Sequence, residues 1–246
     1  MNEMAEIAER RAQLTSRLTE LRKRIERAVS AAHRSQAPEL IVVTKFHPAS
    51  DVLLLAELGV TQVGENRDQE AAAKSAEVRA HGISLYWNFI GQLQSNKAKS
   101  VAAYASAVHS IDRPSLVDAL AKAVQGTERE ALRCFVQLDL AENPGGPRGG
   151  AQPADLLPLA ERIASAPGLE LAGVMAVAPL GEAGRSADPE AAFARLAQLS
   201  STLLREHPEA RAISAGMSAD LEQAIAYGAT HLRVGSDVLG ARAAVR

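Results

Sequence analysis

A chain of 246 residues, 47% of them hydrophobic, is long enough to bury a full core, and its formal net charge of -2 offers no basic field for nucleic acid or an anionic membrane surface. A lone cysteine, Cys134, rules out an intrachain disulfide, and no Cys/His spacing supports a zinc site. The start of the chain, MNEMAEIAERRAQL, is charged, no uncharged run approaches the ~18 residues of a membrane span, and the expected setting is a reducing cytoplasm.

In chain order, Ile7, Leu14, Leu18, Leu21, Ile25 and Val29 recur at helical spacing among Glu and Arg, which predicts an amphipathic helix within residues 1–35 that packs on the remainder of the chain. LIVVTK, a turn and DVLLLAEL then make a strand and a helix, with Ser50 as the expected N-cap and Gly59 as the stop. The pattern repeats through TQVGEN with QEAAAKSAEV, LYWNFIG with a helix from about Ser95, SAVHSID with RPSLVDALAKAV, and RCFVQLDL with DLLPLAERIASA. It ends with LELAGVMAVA and AAFARLAQLSSTLLREH, ARAISAG and SADLEQAIAYG, and THLRVGS with a short tail. Eight such units over residues 36–246 predict one domain, a (β/α)8 TIM-type barrel carrying an extra N-terminal helix. An open doubly wound sheet is the rival, disfavoured because no GxGxxG follows the first strand. The segments AENPGGPRGGAQP and LGEAGRSADPE are expected to be the most mobile.

A barrel puts Lys45 at the C-terminal end of its first strand, on the face where this fold builds its sites. Lys23, Lys74, Lys97, Lys99 and Lys122 fall on predicted helices or their starts, where a solvated charge is the ordinary account; a charge capping a strand is the ordinary account of Lys45 too. Two later stretches add weight. AISAGMSADLEQAI and THLRVGS each leave a strand through a small polar turn, with Ser214, Gly216, Met217 and Ser218 in the first and Gly235 and Ser236 in the second. Such turns expose backbone N–H groups, and with Ser218 at a helix start they make an anion cradle; helix capping and chain turning are the competing account. Arg233 precedes the second turn and points either into the mouth or outward to a helix carboxylate. Amine, guanidinium and cradle together suit pyridoxal 5'-phosphate, which has an aldehyde, a ring nitrogen and a phosphate to offer them.

The motifs VTKFHP, VGENRDQE, WNFIGQLQSNK, HSIDRP, GVMAVAP, SAGMSADLEQAI and RVGSDVLGAR occur in that order between about Leu40 and Arg242. In these the chain resembles the pyridoxal phosphate homeostasis protein family, also called the proline synthetase co-transcribed family, single-domain relatives of the alanine racemase N-terminal barrel. The resemblance implies Lys45 carrying the cofactor as an internal aldimine, the turns at Ser214 to Ser218 and Gly235 to Ser236 holding its phosphate, Arg233 at the pyridine nitrogen and Asn66 near the ring. The chain departs from the family pattern at Asn88, where histidine is commoner, at Arg148 before Gly149, where a lysine is usual, and at Ala215, where methionine is expected.

Arginine does not readily give up a proton, so Arg233 would leave the ring a weak electron sink. The second base of a racemase would come from another domain, whereas this chain is expected to end with its barrel, and Tyr86, Tyr104 and Tyr227 are not at strand ends facing the site. The expected function is therefore a cofactor holder in vitamin B6 and amino-acid homeostasis with no catalytic residue, serving PLP-dependent apoenzymes as a monomer, without nucleic acid, membrane or metal. A weak amino-acid racemase is the alternative, and a Schiff-base aldolase a further one. Cys134 is expected in the core, and His47 and His109 at strand ends.

Overall fold

The computed structural model describes residues 3–141, 149–179 and 188–240. Arg148, most of the two segments expected to be mobile and the chain after Gly240 lie outside the described residues. Eight strands form: β1 (Glu39–Val43), β2 (Gln62–Glu65), β3 (Tyr86–Phe89), β4 (Ala107–Ile111), β5 (Leu132–Leu138), β6 (Leu169–Ala176), β7 (Ala212–Ser214) and β8 (His231–Val234). They run parallel in sequence order and close as a barrel, β1 meeting β8 through Leu40 with Leu232, Ile41 with Arg233 and Val42 with Val234. The helices are α1 (Glu3–Ala31), α2 (Ala49–Glu57), α3 (Asp68–Ala80), α4 (Ala98–Tyr104), α5 (Pro114–Val124), α6 (Leu156–Ala164), α7 (Pro189–Glu206), α8 (Leu221–Ala226) and α9 (Ser236–Leu239). The chain is a (β/α)8 barrel with an additional N-terminal helix, as its strand and helix periodicity predicts.

Alternation along the strands sorts the side chains. Leu232 and Val234 of β8 join the apolar layer beneath the helices, while His231 and Arg233 point the other way, into the barrel. That outer layer is the main core, and it extends to α1 through Leu14, Leu18, Leu21 and Ile25 at alternating steps of four and three. Ile7 is exposed, so the packed stripe of α1 begins one turn or more later than its sequence pattern suggests. The barrel interior holds a smaller apolar group of Ala107, Phe135, Ala172, Met175 and Ala212. Gly173 has φ 151°, and a Cβ there would collide with the Ala212 carbonyl, so only glycine lets β6 approach β7.

Two helix starts differ from expectation. α2 begins at Ala49 behind Pro48 and has no side-chain cap, so Ser50 lies inside its first turn. α8 begins at Leu221, and Ser218 sits in the preceding turn, where the carboxylate of Asp220 accepts from the Met217 N–H at 2.7 Å. Gly59 does stop α2, at φ 80°.

Candidate functional site

β1 ends at Val43, and Lys45 stands two residues later in a turn at the barrel mouth, half-buried. The next residue, Phe46, has φ 67°, a left-handed conformation that a bulky side chain adopts at a cost of order 1–3 kcal/mol. A buried ionic cluster holds the backbone on both sides of Lys45. The Lys74 ammonium donates to the Thr44 carbonyl at 2.9 Å, to Glu65 Oε1 at 2.6 Å and to Glu70 Oε1 at 3.0 Å; the Phe46 N–H donates to Glu70 Oε1 at 2.5 Å, and the Thr44 hydroxyl to Glu65 Oε1 at 2.6 Å. Burial raises the Glu65 carboxyl above its ordinary range, against the pull of Lys74, and its Oε2 has no partner. Lys74 is therefore no solvated helix charge: it lies on the stripe of α3 that also buries Ala71, Ser75 and Val78.

On the far side of the mouth, the turns after β7 and β8 face each other, with the hydroxyls of Ser218 and Ser236 3.0 Å apart. Both turns are braced from outside. Arg24 of α1 forks onto Glu222 through Nε and Nη2 at 2.5 and 2.6 Å, and its Nη1 donates to the Ser218 carbonyl and to Asp237 Oδ2, each at 2.9 Å. Gly216, at φ 91°, is enclosed by Ala224 and Leu232, while a Cβ on Gly235 would stand 3.0 Å from the Val43 carbonyl, where β8 crowds β1.

Between the two sides lies a cavity of about 370 Å³, whose wall includes Lys45, His47, Met217, Ser218, Arg233, Gly235 and Ser236. Arg233 reaches it from inside the barrel. Its Nη1 donates to Ser214 Oγ at 2.6 Å and its Nη2 to the Ala176 carbonyl at 2.9 Å; burial lowers its pKa to about 10, still well above neutrality. Beneath it a polar column descends through the barrel. Ser214 Oγ is 2.9 Å from His109 Nδ1, and His109 Nε2 is 3.0 Å from Asn88 Oδ1, with the imidazole stacked on Phe135 at 4.1 Å.

The sequence-predicted residues thus divide. Lys45, Met217, Ser218, Arg233, Gly235 and Ser236 share one cavity. Ser214 lies below it, fully buried and engaged by Arg233 and His109, and the Met217 N–H is taken by Asp220, so neither is an open donor to an anion. Asn66 opens on a neighbouring cavity of about 470 Å³ shared with Arg67, Glu70 and Lys97; its Oδ1 is buried without a partner, and a Cβ on Gly91 would strike its backbone. His109 is in mid-strand and interior instead of at a strand end, whereas His47 does reach the cavity wall. Tyr86 opens β3 at the opposite end of the barrel, Tyr104 is buried at the end of α4 and Tyr227 follows α8. Cys134 is buried, and burial pushes its thiol up to about 12, as befits a core residue. Among the described residues no His, Cys, Asp and Glu side chains gather as a metal site.

Sequence reasoning missed Lys74, Glu65 and the Asn88–His109 column. Their common signal is a polar residue at a position where periodicity demands a buried one.

The model of the alanine racemase N-terminal domain matches residues 16–243. The chain is 38% identical to the pyridoxal phosphate homeostasis protein of Mycobacterium tuberculosis, covering 95% of each chain, and 38% identical to that of Pseudomonas aeruginosa, covering 93% of this chain and 96% of the other. Among solved structures it is similar to PipY of Synechococcus elongatus, known with and without PLP bound, at 31% identity and a TM-score of 0.78 over 92% of this chain and all of that one.

Proposed function

Because the chain belongs to the family of pyridoxal phosphate homeostasis proteins, within the larger alanine racemase N-terminal domain family, we propose that it binds pyridoxal 5'-phosphate at the barrel mouth and holds it without strong catalysis, in vitamin B6 and amino-acid homeostasis. The observation that carries this reading is the shared cavity: a primary amine, a buried guanidinium and two facing hydroxyls line one space of about 370 Å³. The residues fit the group. Lys45 would anchor it through the side-chain amine, and the turns at Ser218 and at Gly235 and Ser236 would hold the phosphate. Arg233 would face the ring nitrogen, and Asn66, whose buried Oδ1 is orphaned, would border the ring from the neighbouring cavity.

When bound, the cofactor supplies an aldehyde for a primary amine and a pyridine ring as an electron sink. The chain's own residues favour the first property over the second. Arg233 keeps its proton, since even a pKa lowered to about 10 leaves it a cation, so it has a hydrogen bond to donate to a ring nitrogen but no proton to give up. No tyrosine stands in the cavity wall beside Lys45 to act as a second base, because Tyr86, Tyr104 and Tyr227 are elsewhere.

The test is the visible spectrum of the protein titrated with pyridoxal phosphate, repeated on Lys45→Ala and followed by borohydride reduction and peptide mapping. A band present in the wild type, absent in the variant and trapped on Lys45 supports the reading; no band, or an adduct on another lysine, sinks it. Racemase or transaminase turnover well above that of free cofactor would move the chain from holder to enzyme. The same reading makes PLP-dependent apoenzymes the recipients of the cofactor, and the chain a cytoplasmic monomer. Net charge -2 disfavours nucleic acid as a partner, and no helix among the described residues is long and apolar enough to cross a membrane.

A further inference from the structure

Barrel interiors of this architecture are filled mainly by branched apolar side chains, yet here Arg233, Ser214, His109 and Asn88 are stacked along the inside, each at most 4% exposed. Buried polar groups are tolerated when every member is satisfied, which makes the direction of each hydrogen bond deducible. The deduction starts at Asn88. Its amide nitrogen lies 3.2 Å from the Val63 carbonyl and 3.3 Å from the Tyr86 carbonyl; turning the amide over would set oxygen against two carbonyl oxygens. Asn88 Oδ1 is then the atom that faces His109 Nε2 at 3.0 Å, and because a carbonyl oxygen only accepts, Nε2 carries the hydrogen.

His109 is fully buried, and burial, then the charges of Arg233, His231 and Arg133, hold its pKa well below the ordinary imidazole range. A neutral ring with its hydrogen on Nε2 leaves Nδ1 as an acceptor, which commits the Ser214 proton to the 2.9 Å contact with His109. Ser214 Oγ in turn accepts from Arg233 Nη1 at 2.6 Å. Below Asn88 the direction continues: its Nδ2 donates to Gln62 Oε1 at 3.1 Å, and Gln62 donates to the Glu39 carboxylate at the floor. Every donor points away from the cation in the mouth toward the anion at the other end. The opposite tautomer would break two links at once, leaving both Asn88 Oδ1 and the Ser214 hydroxyl hydrogen without a partner.

We propose that Ser214, His109 and Asn88 are positioning residues for Arg233, a one-way hydrogen-bond relay that locks His109 as the Nε2-protonated tautomer and fixes the guanidinium in the barrel mouth. Its value to cofactor binding rests on the proposed role of Arg233 at the ring nitrogen; the relay itself does not. With one Nη on Ser214 and the other on the Ala176 carbonyl, the guanidinium plane has little freedom, so a ring nitrogen arriving in the cavity meets an oriented donor at low entropic cost. The relay also assigns Ser214 a role other than phosphate contact.

The test begins with the wild-type protein free of cofactor, by nitrogen-resolved NMR of its histidine and arginine side chains near neutral pH. His109 should show the Nε2–H tautomer, and the Arg233 Nη protons should give resolved, slowly exchanging signals. Asn88→Leu removes the acceptor without touching Arg233; it should mix the tautomers, collapse the Arg233 signals and weaken pyridoxal phosphate binding about tenfold, with the adduct still on Lys45. Ser214→Ala should do the same, and Ser214→Thr, which keeps the hydroxyl, should restore all three readouts. A wild-type His109 that is cationic or protonated on Nδ1 overturns the relay, as does an Asn88→Leu protein whose Arg233 signals stay unchanged. A wild type with the expected tautomer that binds no pyridoxal phosphate retires the cofactor reading and leaves the relay standing.

Discussion

The two sides of the barrel mouth are built by opposite means. On the β1–β2 side the turn carrying Lys45 is gripped from beneath by a buried ammonium and two carboxylates, and it keeps a left-handed Phe46. On the β7–β8 side the turns are small, exposed at Ser236, and tied down from outside by one arginine of α1. In the proposed site, a side chain presenting an amine at a fixed point would need a stiff base, whereas backbone N–H groups and hydroxyls wrapping an anion would need closeness and adaptability. The difference teaches that the two halves of one site need not share a structural style.

The sharpest way to break this contrast is to remove the ammonium. Lys74→Met leaves Glu65 buried and Glu70 half-buried without their counter-charge, and breaking a buried pair in this way costs about 3–5 kcal/mol. Denaturant unfolding should show that loss, and pyridoxal phosphate should form its Lys45 adduct more weakly. Replacing Glu65 by Leu in the same protein should return much of the stability but not the adduct, because the Thr44 hydroxyl and carbonyl stay unheld. A Lys74→Met protein as stable and as competent as the wild type would show that the grip is ornamental.

Acid should separate the two sides next. His231, at the start of β8, has its pKa pushed down to about 4, mainly by burial, with Arg133 and Arg233 adding. The folded state thus binds fewer protons than the unfolded one, so stability is complete above the ordinary imidazole value of 6.5 and falls as pH drops toward 4, by up to about 3 kcal/mol. Glu65 has the opposite sign, since a raised carboxyl pKa costs stability as pH climbs and costs nothing in acid. Hydrogen exchange at mildly acidic pH should therefore lose protection around β7 and β8 before β1 and β2, and His231→Gln should flatten the difference.

The β7–β8 side yields smaller effects. Ser218→Ala and Ser236→Ala each remove a hydroxyl proposed to reach a charged phosphate, and each should weaken pyridoxal phosphate about tenfold. Pyridoxal, which lacks the phosphate, should bind both variants as it binds the wild type. Equal losses for the two ligands would place the serines on the ring and not on the phosphate. The double variant should lose less than the sum, because the two hydroxyls lie 3.0 Å apart and share partners.

The contrast also explains which features are legible in the sequence. The eight strands, Lys45 and the Gly/Ser turns can be read because each is a local pattern: an apolar run, a lysine where the run stops, a turn where backbone must be exposed. The grip on Lys45 is not local. Lys74 sits in DQEAAAKSAE, a segment with hardly any apolar face, where a lysine has every reason to be solvated; only its alignment with Ala71 and Val78 on the buried stripe marks it as a core position. His109 and Asn88 are hidden by the same mechanism inside AVHSI and YWNF, since alternation tells which residues point inward but not that a polar column will be completed by partners from other strands. Ser214 shows the reverse: its motif suggests an anion turn, and its buried hydroxyl oxygen accepts from Arg233.

The smallest effect tests whether the outer brace matters to the site at all. Arg24 is about one-third exposed, and exposed ion pairs contribute little, but its fork spans Glu222, the Ser218 carbonyl and Asp237, and so it links both turns of the β7–β8 side to α1. Arg24→Ala should reduce pyridoxal phosphate affinity by roughly threefold, less than either serine change, while the adduct on Lys45 stays intact, because the brace sets the spacing of the turns and touches no ligand. Arg24→Lys should fail to restore the affinity: an ammonium keeps the charge but cannot hold a carboxylate in two parallel bonds and reach a carbonyl with the same group. Full rescue by lysine would mean that the positive charge alone is felt at the phosphate, and the β7–β8 side would then be an electrostatic site with loose turns instead of one braced from outside.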